Sequence, residues 1–335
     1  MRTRAFARLG LGIIVSVVFL ALTLSRVQLA DLPDALRAVA PIGVLAALGI
    51  VALDVLVRAV RWSALLRSLG GGAPEPPLVM VVAYLAIGYL ANSLLPARLG
   101  DVARAYLAGS AFHTSRAATL GTIVVERVGD GSMMLMLALG SSLLVSSVVE
   151  VRALAAYAVV LVGAAGVALA TAWLFVSRGR LARRRLPQLA RSFAAQVADG
   201  LAGIRTARGA LVIGALTAAL AATGIGVAWT VATAAGVPLS LVQAVLFASG
   251  IALSQAIPAA PASLGTYEFV GVVILTSFGA SAEQGLAAVL VMRLVSTLPL
   301  SILGLAAVWA LHIRPAALFA PAEIELIADP DGNAS

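Results

Sequence analysis

Long apolar runs constrain this chain more than any other feature of its sequence. A helix of about 20 apolar residues crosses the roughly 30 Å hydrocarbon core of a bilayer. Only 11% of the 335 residues are charged and the mean hydropathy is +1.04, whereas a soluble domain has about 25% charged residues. We therefore predict an all-α integral membrane protein. The apolar runs lie at 9–25, 41–60, 78–95, 128–148, 153–176, 209–235, 238–257 and 282–311.

The charge and cysteine counts narrow the class further. The formal net charge is +8 and there is no cysteine. In a membrane protein, basic loops are explained by the orientation of the chain, so we predict no nucleic-acid partner. Without cysteine, disulfides and thiolate metal sites are excluded. We also predict no metal and no cofactor.

The arginines predict the orientation, because basic loops stay in the cytoplasm. Three precede the first apolar run, three follow the second, and the densest group lies in 177–208. Both termini and the 177–208 loop are therefore predicted to be cytoplasmic, in the plasma membrane. The loop is a topology signal with an interfacial helix, or alternatively a patch for anionic lipid. The arginines of the first two groups are Arg2, Arg4, Arg8, Arg58, Arg61 and Arg67.

This orientation requires two stretches to enter and leave the bilayer on the same side, 78–127 and 238–278. We therefore predict about six transmembrane helices and two re-entrant helical hairpins. Residues 1–312 would form a single membrane domain with a disordered tail at 313–335. Within it, the first repeat would cover 9–148 and the second 153–312.

An internal repeat falls on the two hairpins. Residues 96–100 read PARLG and 261–265 read PASLG, while 120–127 (LGTIVVER) aligns with 286–293 (LAAVLVMR). Three crossings in each copy make this an inverted-topology repeat, an architecture found in many transporters. Irregular backbone at membrane depth lines a cavity or is buried in protein. The helix-breaking tip residues are thus predicted to line a site: Pro96, Gly100, Pro258, Pro261 and Gly265.

Eight ionisable residues lie beside the two tips, at the start of the span that follows the first tip, or within the last span. Each costs about 2.5–3.5 kcal/mol near the bilayer centre unless it is paired or hydrated. Asp101 and Arg104 are three apart and can pair on one helix face. Two interpretations stay open, namely pairs that brace the hairpins and a hydrated substrate site that also uses them. The eight are Arg98, Asp101, Arg104, Glu126, Arg127, Asp130, Glu268 and Arg293.

These residues favour recognition of an anion. The arginine fork matches phosphate oxygens, and helices that begin after Gly100 and Gly265 point their N-terminal amides at the tips. Ser263 or Thr266 could cap the second helix. We predict a phosphate between the two helix N-termini, contacted by Arg98, Arg104, Arg127 or Arg293. The acids Asp101, Glu126, Asp130 and Glu268 would hold the arginines or carry protons.

Other polar residues have simpler explanations. Asp54 and Arg58 are four apart and indicate an ion pair near a helix end. His113 and His312 fall in a turn and in a final helical turn, where structural roles are expected.

The motifs at the tips resemble the lysylphosphatidylglycerol synthase transmembrane-region family, also called flippase-like proteins. The resemblance covers about 10–312 and rests on 92–104 (NSLLPARLGDVAR), Glu126-Arg127 with Asp130, and 258–268 (PAAPASLGTYE). The family usually has Glu where this chain has Asp101. It usually has glycines where this chain has Ala262 and Ser263.

This resemblance implies handling of polar-headed lipids. The best-known members carry an additional aminoacyl-transferase domain that these residues do not resemble, so lipid aminoacylation is not expected of this chain alone. We expect a translocase for a phosphate-bearing lipid, with membrane lipids and a lipid-synthesising enzyme as partners. Two alternatives stay open, a membrane-embedded lipid-modifying transferase and a secondary transporter of a small anion.

Overall fold

The computed structural model describes residues 2–69, 75–95, 99–145, 195–256 and 261–313, and it is helical throughout these ranges. The predicted all-α class is confirmed. The 153–176 run, residues 177–194 of the basic loop, and the tail from 314 lie outside the described residues. The α-helices are α1 (Arg2–Leu24), α2 (Leu32–Arg37), α3 (Pro41–Arg67), α4 (Leu78–Leu94), α5 (Leu99–Ala111), α6 (Arg116–Leu144), α7 (Ala207–Ala234), α8 (Leu241–Ser254), α9 (Thr266–Ser277) and α10 (Ala282–Ala310).

Short 3₁₀ turns join some of these helices. A helical segment at 195–199 continues into the turn Gly200–Ile204, which leads to α7, and the turn Pro261–Ser263 precedes α9. Pro96, Arg98 and Pro258 at the predicted tips lie outside the described residues.

Three of the described helices, α3, α7 and α10, are long and apolar enough to cross a membrane. Shorter apolar helices lie at Gly12–Leu24, Leu78–Leu94, Leu241–Ser254 and Thr266–Ser277. Along α10, Leu298, Ile302 and Trp309 are 52%, 59% and 83% exposed. Apolar surface of this extent is covered by lipid in a membrane protein. The chain is therefore a multi-pass membrane protein.

Two helices extend beyond the bounds predicted for them. The span predicted at 128–148 begins at Arg116, so Glu126, Arg127 and Asp130 lie in the middle of the 29-residue α6 and not at its start. The span predicted at 41–60 continues to Arg67, which places Arg61 inside α3. Both helices continue through charged positions because partner side chains compensate those charges, as described below.

The described chain forms two compact units. The first is built from Met1–Asp54, Gly131–Gly163 and Leu220–Pro299. In it, α8 and α9 form a helical hairpin in which a glycine allows close packing, since a Cβ at Gly250 would lie 2.4 Å from Ile274 Cδ1. Helix α1 packs on α9 through the edge-to-face pair Phe19 and Phe269, with ring centroids 5.1 Å apart. The core includes Ala47, Val231, Phe247, Ile274 and Ala288.

The second unit is built from Val55–Asp130, Ala164–Ala219 and Leu300–Ser335. Its hairpin is α4 with α5, which approach closely at two glycines. A Cβ at Gly100 would lie 2.2 Å from the carbonyl oxygen of Gly88 and 2.5 Å from the backbone nitrogen of Asn92. Its largest apolar core cluster includes Trp62, Leu85, Ile87 and Ala108.

The four hairpin helices are short. Helices α4 and α5 have 17 and 13 residues, and α8 and α9 have 14 and 12. At 1.5 Å per residue, a 13-residue helix spans about 20 Å, less than the hydrocarbon core. The helix-tip-helix shape fits the predicted hairpins, whereas their re-entry into a bilayer and the inverted repeat stay predictions.

Candidate functional site

A buried ion pair joins the two helices that carry most of the predicted site. Arg104 on α5 donates from Nη2 to Glu126 Oε2 on α6 at 2.6 Å, and the two residues are 2% and 5% exposed. The Arg104 guanidinium lies 4.3 Å from the centroid of the Trp62 ring. Trp62 donates from Nε1 to Thr122 Oγ1 at 3.1 Å. The indole is therefore fixed, and it holds the guanidinium in place by a cation–π contact.

Arg61 on α3 belongs to the same cluster, although the sequence indicated only an orientation signal there. Both of its terminal nitrogens bind Asp130, with Nη2 3.0 Å from Oδ2. Nη1 also donates to Thr217 Oγ1 on α7 at 3.0 Å. Its Nε lies 3.4 Å from Glu126 Oε1. The side chain is 1% exposed, so Arg61 is the most deeply buried cation of the cluster.

One sequence signal could have identified Arg61. The apolar pattern does not stop at residue 60 but continues through Trp62, Leu65 and Leu66, all of which are buried. An arginine inside a continuing apolar pattern requires a buried partner.

Asp101 on α5 binds Arg127 on α6 in a two-point contact. Arg127 Nε and Nη2 donate to the two carboxylate oxygens at 2.8 and 2.7 Å. Asn92 on α4 donates from Nδ2 to Asp101 Oδ1 at 3.1 Å. The spacing allowed Asp101 to pair with Arg104 inside α5, but both residues instead bind α6. The fork of a guanidinium meets a carboxylate on a neighbouring helix in better geometry than one three residues away.

These side chains line one crevice, which is closed to a molecule the size of water. Within it, the Nε atoms of Arg61 and Arg104 are buried and have no hydrogen-bond partner among the described residues. A buried donor without a partner costs about 1–3 kcal/mol. The crevice thus retains donors for an oxyanion. Its polar lining is Arg58, Arg61, Tyr89, Arg104, Glu126, Arg127 and Asp130.

The second tip, in the first unit, has its own arginine–carboxylate pair. Glu268 Oε2 accepts a hydrogen bond from the backbone nitrogen of Gly265 at 2.7 Å, while Oε1 lies 2.7 Å from Arg293 Nε. Arg293 Nη1 donates to the carbonyl of Ala262 at 2.7 Å, and its guanidinium lies 4.3 Å from the centroid of the Tyr267 ring. One residue of α10 thereby contacts both the turn before α9 and the first turn of α9. Nη2 of Arg293 is buried without a hydrogen-bond partner in the described part of the chain.

The tip backbone differs from the predicted capping. Neither Ser263 nor Thr266 caps α9, because Glu268 takes that role and the Thr266 hydroxyl donates to the Ser263 carbonyl at 3.1 Å. Ala262 and Ser263 have φ of 58° and 53°, and Gly265 has φ of 86°. A Cβ at Gly265 would lie 2.3 Å from the carbonyl oxygen of Ser16 on α1. Gly265 is therefore required both by its backbone conformation and by this close approach.

The chain was compared with known proteins. Residues 9–304 match the family described as lysylphosphatidylglycerol synthase TM region. The chain belongs to this family. The match includes every predicted site residue, and it confirms the resemblance seen in the motifs. A search of curated proteins finds no match for this chain.

As a member of the lysylphosphatidylglycerol synthase TM-region family, the chain departs from the expected motifs at positions where the geometry is informative. Asp101, expected as Glu, binds Arg127 bidentately. Ala262 and Ser263, expected as glycines, have the positive φ that glycine favours. Ala262 and Ser263 therefore adopt, without glycine, a backbone conformation that glycine favours.

The chemistry that this family member can carry out follows from its side chains. In the described ranges, no group of three or more His, Cys, Asp or Glu side chains could hold a metal ion. The polar groups present are guanidinium forks, each with a carboxylate partner. Such forks bind phosphate or carboxylate. The predicted contact of Arg98 with that anion stays a prediction.

Proposed function

We propose that this chain is a lipid translocase that binds the phosphate of a polar-headed lipid at the arginine cluster of the second unit. The lipid tails would stay in the bilayer during movement between leaflets. Its partners would be membrane lipids and the enzyme that supplies the lipid. The protein would lie in the plasma membrane with both termini in the cytoplasm.

Arg104 carries this proposal. It is 2% exposed, lies against Trp62, and binds one carboxylate oxygen through Nη2 while its Nε has no hydrogen-bond partner among the described residues. Phosphate offers more acceptor oxygens than a carboxylate, so it can accept from both nitrogens at once. If a lipid phosphate displaced the Glu126 carboxylate from Arg104, the buried guanidinium would have an anionic partner before and after the exchange.

Glu126 has a second partner that makes the exchange feasible. Its other oxygen lies 3.4 Å from Arg61 Nε, so a carboxylate displaced from Arg104 would still be paired. A buried carboxylate without a partner would be strongly disfavoured. Arg127, which is paired with Asp101, would attract the anionic head group. In the transport hypothesis, Glu126 and Asp130 hold the arginines or carry protons.

The crevice must open for this function, since it does not admit water in this structure. Transporters with inverted repeats open and close a central site by moving helix bundles. The charged residues of α6 bind α3 and α5, so movement of α6 would break several pairs together. We propose that lipid binding compensates for these broken pairs.

Arg293 and Glu268 would serve the second tip in the same way. The head group would compete for Arg293 Nη2, which is buried without a described hydrogen-bond partner. Ser263 and Thr266 would contribute through the tip backbone that they shape.

A vesicle assay tests the proposal. Purified protein is reconstituted, and movement of a fluorescent anionic phospholipid between leaflets is followed by chemical quenching. Arg104→Gln loses charge-assisted hydrogen bonds of about 1.5–3 kcal/mol, so transport is expected to fall about ten- to a hundredfold. Arg37→Gln is the matched control, because Arg37 is 79% exposed and pairs only with the equally exposed Asp34 in the described structure. Wild-type transport by a folded Arg104→Gln protein would remove the assignment.

The same vesicles distinguish the alternatives. Head-group analysis by mass spectrometry would show a modified lipid if the protein is a transferase. Uptake of labelled inorganic phosphate without lipid movement would indicate a small-anion transporter.

A further inference from the structure

A second cavity lies in the second unit, away from the buried crevice. The end of α3, the turn Gly200–Ile204 and the start of α7 border an open space of about 400 Å³, lined by both apolar and polar side chains. None of its lining residues belongs to the arginine cluster described above. Its polar lining is Arg67, Ser68, Thr206 and Arg208.

Two glycines fix the shape of this cavity. A Cβ at Gly203 would lie 2.9 Å from both Leu65 Cδ2 and Ser68 Oγ, and one at Gly209 would lie 2.1 Å from the carbonyl oxygen of Gly203. Backbone therefore packs directly on backbone between the turn and α7. This contact between Gly203 and Gly209 holds the turn against the start of α7 at the wall of the cavity.

The charged groups that line the cavity are two arginines, Arg67 and Arg208. Arg67 Nε lies 3.2 Å from Glu75, and the two side chains are 54% and 69% exposed. An exposed pair of this kind contributes about 1 kcal/mol or less. Arg208 lies in the first turn of α7, whose first turn is capped by Thr206 Oγ1 accepting from Gly209 N at 3.1 Å. The positive end of the α7 dipole adds to the charge of Arg208.

Apolar surface continues from the polar lining. Val212, which lines the cavity, is 43% exposed, and the neighbouring Leu211 is 74% exposed. Helices α3 and α7 are both apolar enough to cross a membrane, and the cavity lies where their charged ends meet. A site with a cationic pocket beside lipid-facing apolar surface suits an amphiphile with an anionic head group.

We propose that this cavity binds a phosphate group, supplied by an anionic phospholipid at the membrane interface or by free phosphate. Arg67 and Arg208 bind the oxygens, and Thr206 and Ser68 border them. The site is separate from the translocation site proposed above, and it would anchor or regulate the protein according to the lipid present.

The test uses thermal unfolding of the full chain in neutral detergent. Short-chain phosphatidylglycerol, short-chain phosphatidylcholine and inorganic phosphate are added separately. A ligand that binds the native state raises the Tm. Phosphatidylglycerol is expected to raise the Tm more than phosphatidylcholine, and the double variant Arg67→Gln/Arg208→Gln is expected to lose most of that difference. Arg205→Gln is the matched control, because Arg205 lies in the same segment but does not line the cavity.

The outcomes separate the two phosphate sources. An equal shift with inorganic phosphate, lost in the double variant, assigns the site to free phosphate; a shift with phosphatidylglycerol alone assigns it to lipid. Ala202→Leu keeps both arginines and fills the cavity, so it should reduce the shift as the double variant does. The proposal is overturned if the double variant and Ala202→Leu keep the wild-type shift, or if Arg205→Gln loses as much. Transport by the arginine cluster is a separate measurement that these variants leave intact.

Discussion

Glu126 binds two buried arginines at once, with Oε1 3.4 Å from Arg61 Nε and Oε2 2.6 Å from Arg104 Nη2. The two arginines come from α3 and α5, so one carboxylate of α6 ties three helices together. Asp130 and Arg127 on the same helix extend these ties. The cluster is therefore both a structural junction and the candidate binding site.

Glu126→Gln should destabilise the protein strongly. The substitution leaves Arg61 and Arg104 with a neutral partner, and breaking a buried ion pair costs about 3–5 kcal/mol. Thermal or chemical unfolding in detergent measures the loss. Glu75→Gln is the control, because its pair with Arg67 is exposed and should be worth less than about 1 kcal/mol. Equal effects of the two substitutions would contradict the buried junction.

A double substitution distinguishes a structural role of the Arg104–Glu126 pair from a role in lipid binding. Arg104→Met with Glu126→Leu removes both charges of the pair and fills their space, and such replacements are often neutral or stabilising. Arg61 keeps Asp130 and Thr217 as partners. We expect a protein that is stable but does not move lipid. A double variant that transports at the wild-type rate would show that the pair only braces the helices.

Arg61→Lys should not be a conservative change. One ammonium group cannot reproduce the two-point contact with Asp130 together with the bond to Thr217. We expect a loss of about 2 kcal/mol in unfolding free energy, comparable with one or two charge-assisted hydrogen bonds. Arg37→Lys, at an exposed position, should change stability by less than about 0.5 kcal/mol. Equal stability of both variants would contradict the geometry described for Arg61.

Glycine at the second tip should stabilise the fold. Ala262 has φ of 58°, which costs a non-glycine residue about 1–2 kcal/mol, whereas glycine loses about 0.5–1 kcal/mol through its flexible unfolded state. Ala262→Gly is therefore expected to gain up to about 1 kcal/mol. Ala215→Gly in the exposed interior of α7 is the control and should lose about 1 kcal/mol. Both are measured by unfolding, and destabilisation by Ala262→Gly would refute the strained tip.

Close packing of α4 against α5 in the first hairpin should depend on Gly100. Its Cβ would lie 2.2 Å from the Gly88 carbonyl oxygen, so Gly100→Ala must push α4 and α5 apart and disturb Asp101 and Arg104 on the same helix. We expect loss of folded protein or of transport. Gly131→Ala on α6 meets nothing within 4 Å and should be neutral or stabilising. Folded yield and lipid movement report both outcomes.

The sequence predicted the all-α membrane class of this fold well. It predicted poorly which acid pairs with which arginine. Apolar run lengths locate helices directly, because bilayer thickness sets their length, and the helical hairpins followed from the positions of the basic residues. Helix ends were wrong where charges were compensated inside the fold. The span predicted to begin at 128 belongs to α6, which begins at Arg116. The prediction was too late because the charged residues Glu126 and Arg127 resembled the end of a membrane span, although both pair with residues of other helices.

The members of the buried ion-pair cluster were predicted in part, whereas their role as a binding site stays a prediction. Charged residues in apolar surroundings selected Arg104, Glu126, Asp101 and Arg127, and these lie in one cluster. Which acid binds which arginine depends on helix rotation, which a single sequence does not specify. Arg61 was missed because an arginine near the end of an apolar run also serves as an orientation signal. The same ambiguity does not arise for Arg293, which lies well inside its run.

The position of Arg61 has a consequence for how the protein is made. Its carboxylate partners Glu126 and Asp130 are encoded 65 and 69 residues later in the chain. During synthesis, α3 leaves the ribosome with this cation uncompensated, and α6 follows only after the whole first hairpin. An unpaired arginine costs less at the interface than at the bilayer centre, so we expect α3 to hold Arg61 near the interface until α6 arrives. We then expect the two helices to reach their final depth in the bilayer together.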